Sequence, residues 1–166
     1  MITNDVNSRV TRSRSDRVSG CPEGLFTLGE GATSPLDCSI SSPGFYYDQE
    51  GAVSPCPPGS YQPEPGQTDC LQADPGHFAP VGGSTSQTPA DRGFYVESGS
   101  SASQTPCLPG SYQPEPGQTG CILAEPGHYV FSYGQSSQEL CEPGTFQPSV
   151  GARSCKPGEP GHFVEG

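Results

Sequence analysis

The sequence predicts a small disulfide-rich all-β and turn repeat, an elongated solenoid-like rod of ~17-residue units with almost no helix. Three observations predict it. Gly (23) and Pro (20) make up about a quarter of the 166 residues, while hydrophobic residues are only 30% and Trp is absent. That is too little apolar material for one continuous core of the kind that lines a catalytic pocket, so no enzyme is expected. Eight cysteines supply the cohesion that composition alone denies. The third observation is a fixed period, a Gly-x-aromatic step that recurs from residue 24 to the end.

Residues 1–20 stand apart as a basic polar segment, flexible or placed between subunits. Arg9, Arg12, Arg14 and Arg17 lie there, against only Arg92, Arg153 and Lys156 in the remainder. The segment has no cysteine, no aromatic, no secretory apolar region and no membrane span. Eight cysteines nevertheless imply an oxidising, extracellular or cell-surface setting. The chain is therefore expected to be a mature or internal part of a longer protein. A net charge of −11 leaves no basic surface for a polyanion, which excludes nucleic acid as a partner.

Residues 21–166 form the tandem array. The leading glycines are Gly24, Gly44, Gly59, Gly76, Gly93, Gly110, Gly127, Gly144 and Gly161, spaced by 17 from Gly59 onward. Phe26, Tyr46, Tyr61, Phe78, Tyr95, Tyr112, Tyr129, Phe146 and Phe163 follow two places later. A second glycine falls seven places after the first in most units, and the Gly93 unit carries Gly99 one place early. Each unit thus holds two turns. Pro58-Gly59, Pro65-Gly66, Pro116-Gly117 and Pro126-Gly127 suit type II turns, in which Pro presets one φ and Gly supplies a positive one. The five or six residues between turns carry Pro63, Pro80, Pro114 or Pro148, which cannot donate to a ladder. Short edge strands or polyproline-II pieces are expected there. No apolar period of helical type survives the density of breakers.

The cysteines follow the same template. Cys56 and Cys70, Cys107 and Cys121, and Cys141 and Cys155 occupy the places three before and eleven after Gly59, Gly110 and Gly144. The Gly76, Gly93 and Gly127 units have Ala73 and Gln87, Ala90 and Gln104, and Ala124 and Gln138 instead. Both cysteines are present or both absent, so partners are expected within one unit: Cys21–Cys38, Cys56–Cys70, Cys107–Cys121 and Cys141–Cys155. Each loop of about fifteen residues contributes roughly 3 kcal/mol through the unfolded state. Units without cysteines are expected to lean on their neighbours, packing the repeated aromatic between successive rungs. Zinc is disfavoured, since no C-x-x-C pair exists.

Other chemistry is sparse. His77, His128 and His162 occupy equivalent places in different units, displaced along the array, so they are read as turn-side histidines and not as ligands of one ion. Asp74, Glu125 and Glu159, with Glu64 and Glu115 at the tips, are read as solvated turn carboxylates; calcium is disfavoured because one acid per unit does not supply its ligand number. No nucleophile accompanies a base, and no cofactor is expected. Covalent glycans remain open: Ser34, Ser42, Ser54, Thr88 and Thr105 each precede proline in Ser/Thr/Pro-rich turns and are candidate O-glycosylation sites.

The stretch Cys-Pro-Pro-Gly-Ser-Tyr-Gln-Pro-Glu-Pro-Gly-Gln-Thr-Asp-Cys (56–70) and its near copy at 107–121 resemble the ephrin-receptor-like cysteine-rich repeats, similar in style to tumour necrosis factor receptor modules. The resemblance implies an elongated, disulfide-laddered extracellular rod with no catalytic residues to carry over. Half of the pairs are replaced by Ala and Gln, which favours a continuous stack over separate beads. The expected function is that of a structural extracellular repeat protein that self-associates head to tail or laterally into a filament, fibril or surface appendage, as a glycoprotein. The alternative is a receptor or adhesin ectodomain that binds a protein or glycan ligand, with Phe45-Tyr46-Tyr47 or Tyr129-Val130-Phe131-Ser132-Tyr133 as its contact.

Overall fold

The computed structural model describes residues 25–27, 38–49 and 52–159. Residues 1–20, Cys21 and with it the Cys21–Cys38 pairing, Ser34, and the Gly24 and Gly161 units' leading turns with His162 lie outside the described residues.

From the Gly44 unit to the Gly144 unit, each begins with a tight turn because its sequence offers proline, or Arg92 in one unit, and then glycine. In Pro57-Pro58-Gly59-Ser60 the Ser60 amide donates to the Pro57 carbonyl at 3.1 Å, and Gly59 takes φ +89°, the geometry that proline followed by glycine favours. Two residues of strand follow. They pair antiparallel with two residues that come just after the second cysteine place: Ser60–Tyr61 with Leu71–Gln72, for instance, in the register Ser60↔Gln72 and Tyr61↔Leu71. The amide of the residue opening the next unit, Ala73, donates back to the Gly59 carbonyl at 3.0 Å and closes the neck of the hairpin.

The same hairpin recurs along the described chain. Leu25–Thr27 pairs with Cys38–Ile40, Phe45–Tyr47 with Val53–Pro55, His77–Phe78 with Thr88–Pro89, and Phe94–Tyr95 with Thr105–Pro106. Ser111–Tyr112 pairs with Ile122–Leu123, His128–Tyr129 with Glu139–Leu140, and Thr145–Phe146 with Lys156–Pro157. Every sheet is two-stranded and antiparallel, and no helix occurs among the described residues. Both strands of such a sheet are edges, which is where Pro89, Pro106 and Pro157 can sit without breaking a ladder. The first strands end before Pro63, Pro80, Pro114 and Pro148, each of which lies outside a strand.

Three backbone hydrogen bonds join each unit to the next from the Gly44 unit to the Gly144 unit. The leading glycine amide donates to a carbonyl in the following unit (Gly59 to Ala79, 2.8 Å), and the residue three places on does the same (Gln62 to Ser84, 3.0 Å). In return, the second-turn amide of the following unit donates to the first cysteine place (Gly83 to Cys56, 2.8 Å). At the Gly93 unit this second-turn place is held by Ser100, with φ 61° and an amide bonded to the Ala73 carbonyl at 2.8 Å. Gly99 therefore does not shift the turn by a residue; Ser100 adopts the left-handed conformation itself.

Contacts also reach the next unit but one. A Cβ built on Gly44, Gly59, Gly76, Gly93 or Gly110 would fall within 3.0 Å of the backbone carbonyl of Gly83, Ser100, Gly117, Gly134 or Gly151, two units further on. Each of these five units is thereby held against two successors.

The repeated aromatic does not form the core, contrary to the expectation above. Tyr61, Phe78, Tyr95, Tyr112 and Tyr129 are half-buried. The buried positions are the first cysteine place (Cys56, Ala73, Ala90, Cys107, Ala124) and the place after the aromatic (Tyr47, Gln62, Ala79, Val96, Gln113, Val130). The pleat accounts for this: successive side chains alternate in direction, so the residue after the aromatic points inward where the aromatic cannot.

Candidate functional site

Two different locks close the hairpin loops, one covalent and one polar. The covalent lock is Cys56–Cys70, Cys107–Cys121 and Cys141–Cys155, each joining residues 14 apart with Cα atoms 5.8 Å apart. The polar lock occurs in the Gly76, Gly93 and Gly127 units, which have Ala and Gln at the two cysteine places. The Asp74 amide donates to Gln87 Oε1 at 2.7 Å while Gln87 Nε2 donates to Asp74 Oδ2 at 2.7 Å. Asp91 and Gln104 repeat this at 2.6 and 2.7 Å, and Glu125 and Gln138 at 2.7 and 3.0 Å. The glutamine thus occupies the second cysteine place and grips the residue beside the first. Asp74 and Glu125, read from the sequence as solvated turn carboxylates, are exposed and also act as the acceptors of this clasp.

Two further positions track the lock. Units with a disulfide carry Gln62, Gln113 or Gln147 after the aromatic, buried, with the side-chain amide donating to the carbonyl before the second cysteine (Asp69, Gly120, Ser154) at 2.7, 2.7 and 2.8 Å. The same units have Ser60, Ser111 or Thr145 after the glycine, whose hydroxyl donates to the turn carbonyl of Pro57, Leu108 or Glu142. The clasp units carry Ala79, Val96 and Val130 at the first of these places, and His77, Phe94 and His128 at the second. A buried glutamine needs both ends of its amide satisfied, and here the oxygen end of each also accepts from the backbone amide two places on, of Glu64, Glu115 or Ser149.

His77 Nδ1 lies 3.4 Å from the Pro75 carbonyl, and His128 Nδ1 lies 3.3 Å from that of Pro126, so each histidine stays with its own turn. The His77 ring also lines the space over Gly117 in the next unit but one. Among the described residues no group of three or more His, Cys, Asp or Glu is placed to hold a metal ion. Of the candidate glycosylation sites, Ser42, Thr88 and Thr105 are exposed and Ser54 is half-buried.

The two aromatic runs separate. Tyr47 is buried at 2% exposure and Phe45 and Tyr46 are half-buried, so that run belongs to the packing. In the other run Val130 is buried, whereas Phe131 and Tyr133 are 59% and 62% exposed. Tyr129 Oη donates to Glu139 Oε2 at 2.7 Å across its hairpin. That carboxylate, with burial and the charges of Glu139 and Glu142, holds the Tyr129 pKa above its ordinary value. A raised value means the hydroxyl's contribution to stability is complete below the ordinary tyrosine range and fades as pH rises through the folded pKa. In an ultraviolet pH titration Tyr129 should ionise above the ordinary tyrosine range, and Glu139→Gln should move its midpoint down; an unchanged midpoint would show that the bond does not govern it.

Residues 44–89 match the family model described as tyrosine-protein kinase ephrin type A/B receptor-like. That stretch spans the Gly44, Gly59 and Gly76 units and includes the Cys56–Cys70 loop, one of the two on which the resemblance was read. Over 52 residues the chain is 35% identical to thyroglobulin of Rattus norvegicus, covering 31% of this chain and 2% of that protein. The chain therefore spans a small fraction of the length of the relative it matches. Both likenesses are to disulfide-rich modules of the extracellular type. No helix among the described residues is long and apolar enough to cross a membrane.

Proposed function

We propose that this chain is a structural extracellular repeat protein that self-associates into a fibril or surface appendage, carries O-linked sugar, and performs no catalysis. The observation that carries the reading is the set of three inter-unit backbone bonds, repeated with nearly constant lengths at successive steps. A surface built by repetition presents the same contacts at every step and suits a spacer or a polymer better than one specialised pocket. The exposed Ser42, Thr88 and Thr105 are accessible to a glycosyltransferase. The second reading, an ectodomain fragment with a protein or glycan ligand, draws support from Phe131 and Tyr133, the two aromatics among the exposed large hydrophobic residues of the described chain.

The test is electron microscopy of the protein as secreted, with intact-mass analysis of the same sample. Regular filaments and hexose-sized mass increments mapping to Ser/Thr-Pro peptides are expected. Isolated short particles at native concentration would overturn self-association, and an unmodified mass would overturn the glycan assignment.

A further inference from the structure

We propose that the outer face of the Gly127 unit is a docking surface for residues 1–20 of a neighbouring copy, so that one copy's basic segment seats on the next copy's anionic aromatic face. The inference rests on the self-association reading above and names the contact that would produce it.

Charge supplies the first argument. Residues 1–20 hold four Arg against Asp5 and Asp16, a net +2, so the remaining chain carries −13 of the total −11. Between Arg92 and Arg153 there is no Lys or Arg at all, while Glu97, Glu115, Glu125, Glu139 and Glu142 are all exposed. The most basic and the most uniformly acidic stretches therefore belong to the same molecule.

Apolar exposure supplies the second. Phe131, Tyr133 and Leu140, at 59%, 62% and 67% exposure, all belong to the Gly127 unit. Phe131 stands where neighbouring units carry Pro114 and Pro148, and Tyr133 where the Gly110 unit carries Pro116. Val130 is buried between Tyr129 and Phe131, which leaves Phe131 on the outward side. Tyr129 is tied to Glu139 at 2.7 Å, which fixes a carboxylate beside the aromatic run.

The chemistry of the occupant matches both. A guanidinium stacks on an aromatic face and forks onto a carboxylate, which an ammonium does less well, and the basic residues of the segment are all arginine. Four arginines on one side and two exposed aromatics with flanking carboxylates on the other supply more than one guanidinium–aromatic pair per contact. Each copy has one such segment and one such face. A contact between unlike surfaces that does not close on itself generates an open head-to-tail chain.

The full-length protein, with p-benzoylphenylalanine replacing Val10, should be prepared as an equal mixture of light and heavy-isotope chains and photolysed. Cross-links between light and heavy chains that map to residues 125–142 are expected. The quadruple variant Arg9→Glu, Arg12→Glu, Arg14→Glu, Arg17→Glu should weaken association about tenfold or more at low salt. Adding Glu139→Lys and Glu142→Lys should restore it, which a merely structural role of these residues would not do. Cross-links confined to a single chain, cross-links to another stretch, or association indifferent to the quadruple change would each overturn the docking while leaving self-association standing. Absence of any association in the unaltered protein would overturn both.

Discussion

Gly93→Ala is expected to cost the chain far more stability than Gly127→Ala, although both glycines open a unit and both have φ near the same positive value, +84° and +81°. The left-handed conformation costs an alanine about 1–2 kcal/mol at either place. At Gly127 a new Cβ meets nothing within 4 Å among the described residues. At Gly93 it would fall within 3.0 Å of the Gly134 carbonyl oxygen, with the Gln135 backbone close behind. These are backbone atoms, so no rotamer change relieves the overlap. Retreat of Gly134 would pull its amide from the Cys107 carbonyl, a bond of 2.9 Å that joins the Gly110 unit to the Gly127 unit. The methyl group must therefore break the approach between units two apart, and the loss should exceed the conformational term by several kcal/mol, as large effects of overpacking and backbone strain do. Thermal melts of the two variants measure the difference. Amide exchange at Gly134 and Val96 locates it, since both amides bond across unit boundaries in this part of the array. Equal destabilisation by the two substitutions would mean that the close approach to the next unit but one is not maintained in solution.

Much of this architecture was legible in the sequence because it is written in residues with restricted roles. Glycine after proline marks a positive-φ turn, and paired cysteines at places three before and eleven after that glycine mark a closed loop; Gly59, Cys56 and Cys70 realise both. The clasp was harder to see. Asp74 and Gln87 are each common polar residues, and nothing in either alone says that it grips the other across thirteen positions. The signal was present only as a joint pattern: Gln at the second cysteine place together with an acid beside the first, and Gln62, Gln113 and Gln147 confined to the disulfide units. The core was misread for a physical reason. The recurring aromatic looks like the packing residue, yet strand alternation places the following residue inside, so small or amide side chains such as Ala79 and Gln62 are buried and Tyr61 is not. Contact with the next unit but one leaves no periodic trace beyond the leading glycines, because a missing Cβ serves the turn and the approach alike.

Reduction of the folded protein is expected to unfold the clasp units together with the disulfide units, even though the clasps contain no cysteine. Opening Cys56–Cys70, Cys107–Cys121 and Cys141–Cys155 returns to the unfolded chain the freedom of three loops, each worth about 3 kcal/mol. The sum is on the order of 10 kcal/mol, comparable to the whole stability of a domain. A clasp offers two hydrogen bonds at a partly exposed site, about 1–3 kcal/mol in all, and it constrains nothing once the chain is unfolded. The Gly76 and Gly93 units stand between the Gly59 and Gly110 disulfide units and share backbone bonds with both, so they cannot keep their structure when those neighbours melt. Amide protection at Ala79 and Val96 should therefore vanish in one step with protection at Gln62 and Gln113. The same comparison predicts the reverse change: Ala73→Cys with Gln87→Cys exchanges a clasp for a further covalent lock and should raise oxidised stability by at most about 2 kcal/mol, the loop term less the clasp it replaces. Gln87→Ala alone should lower stability by about the value of the clasp. Survival of protection at Ala79 and Val96 after full reduction would show that the polar clasp suffices by itself, and the covalent locks would then have to be assigned some role other than holding the array together.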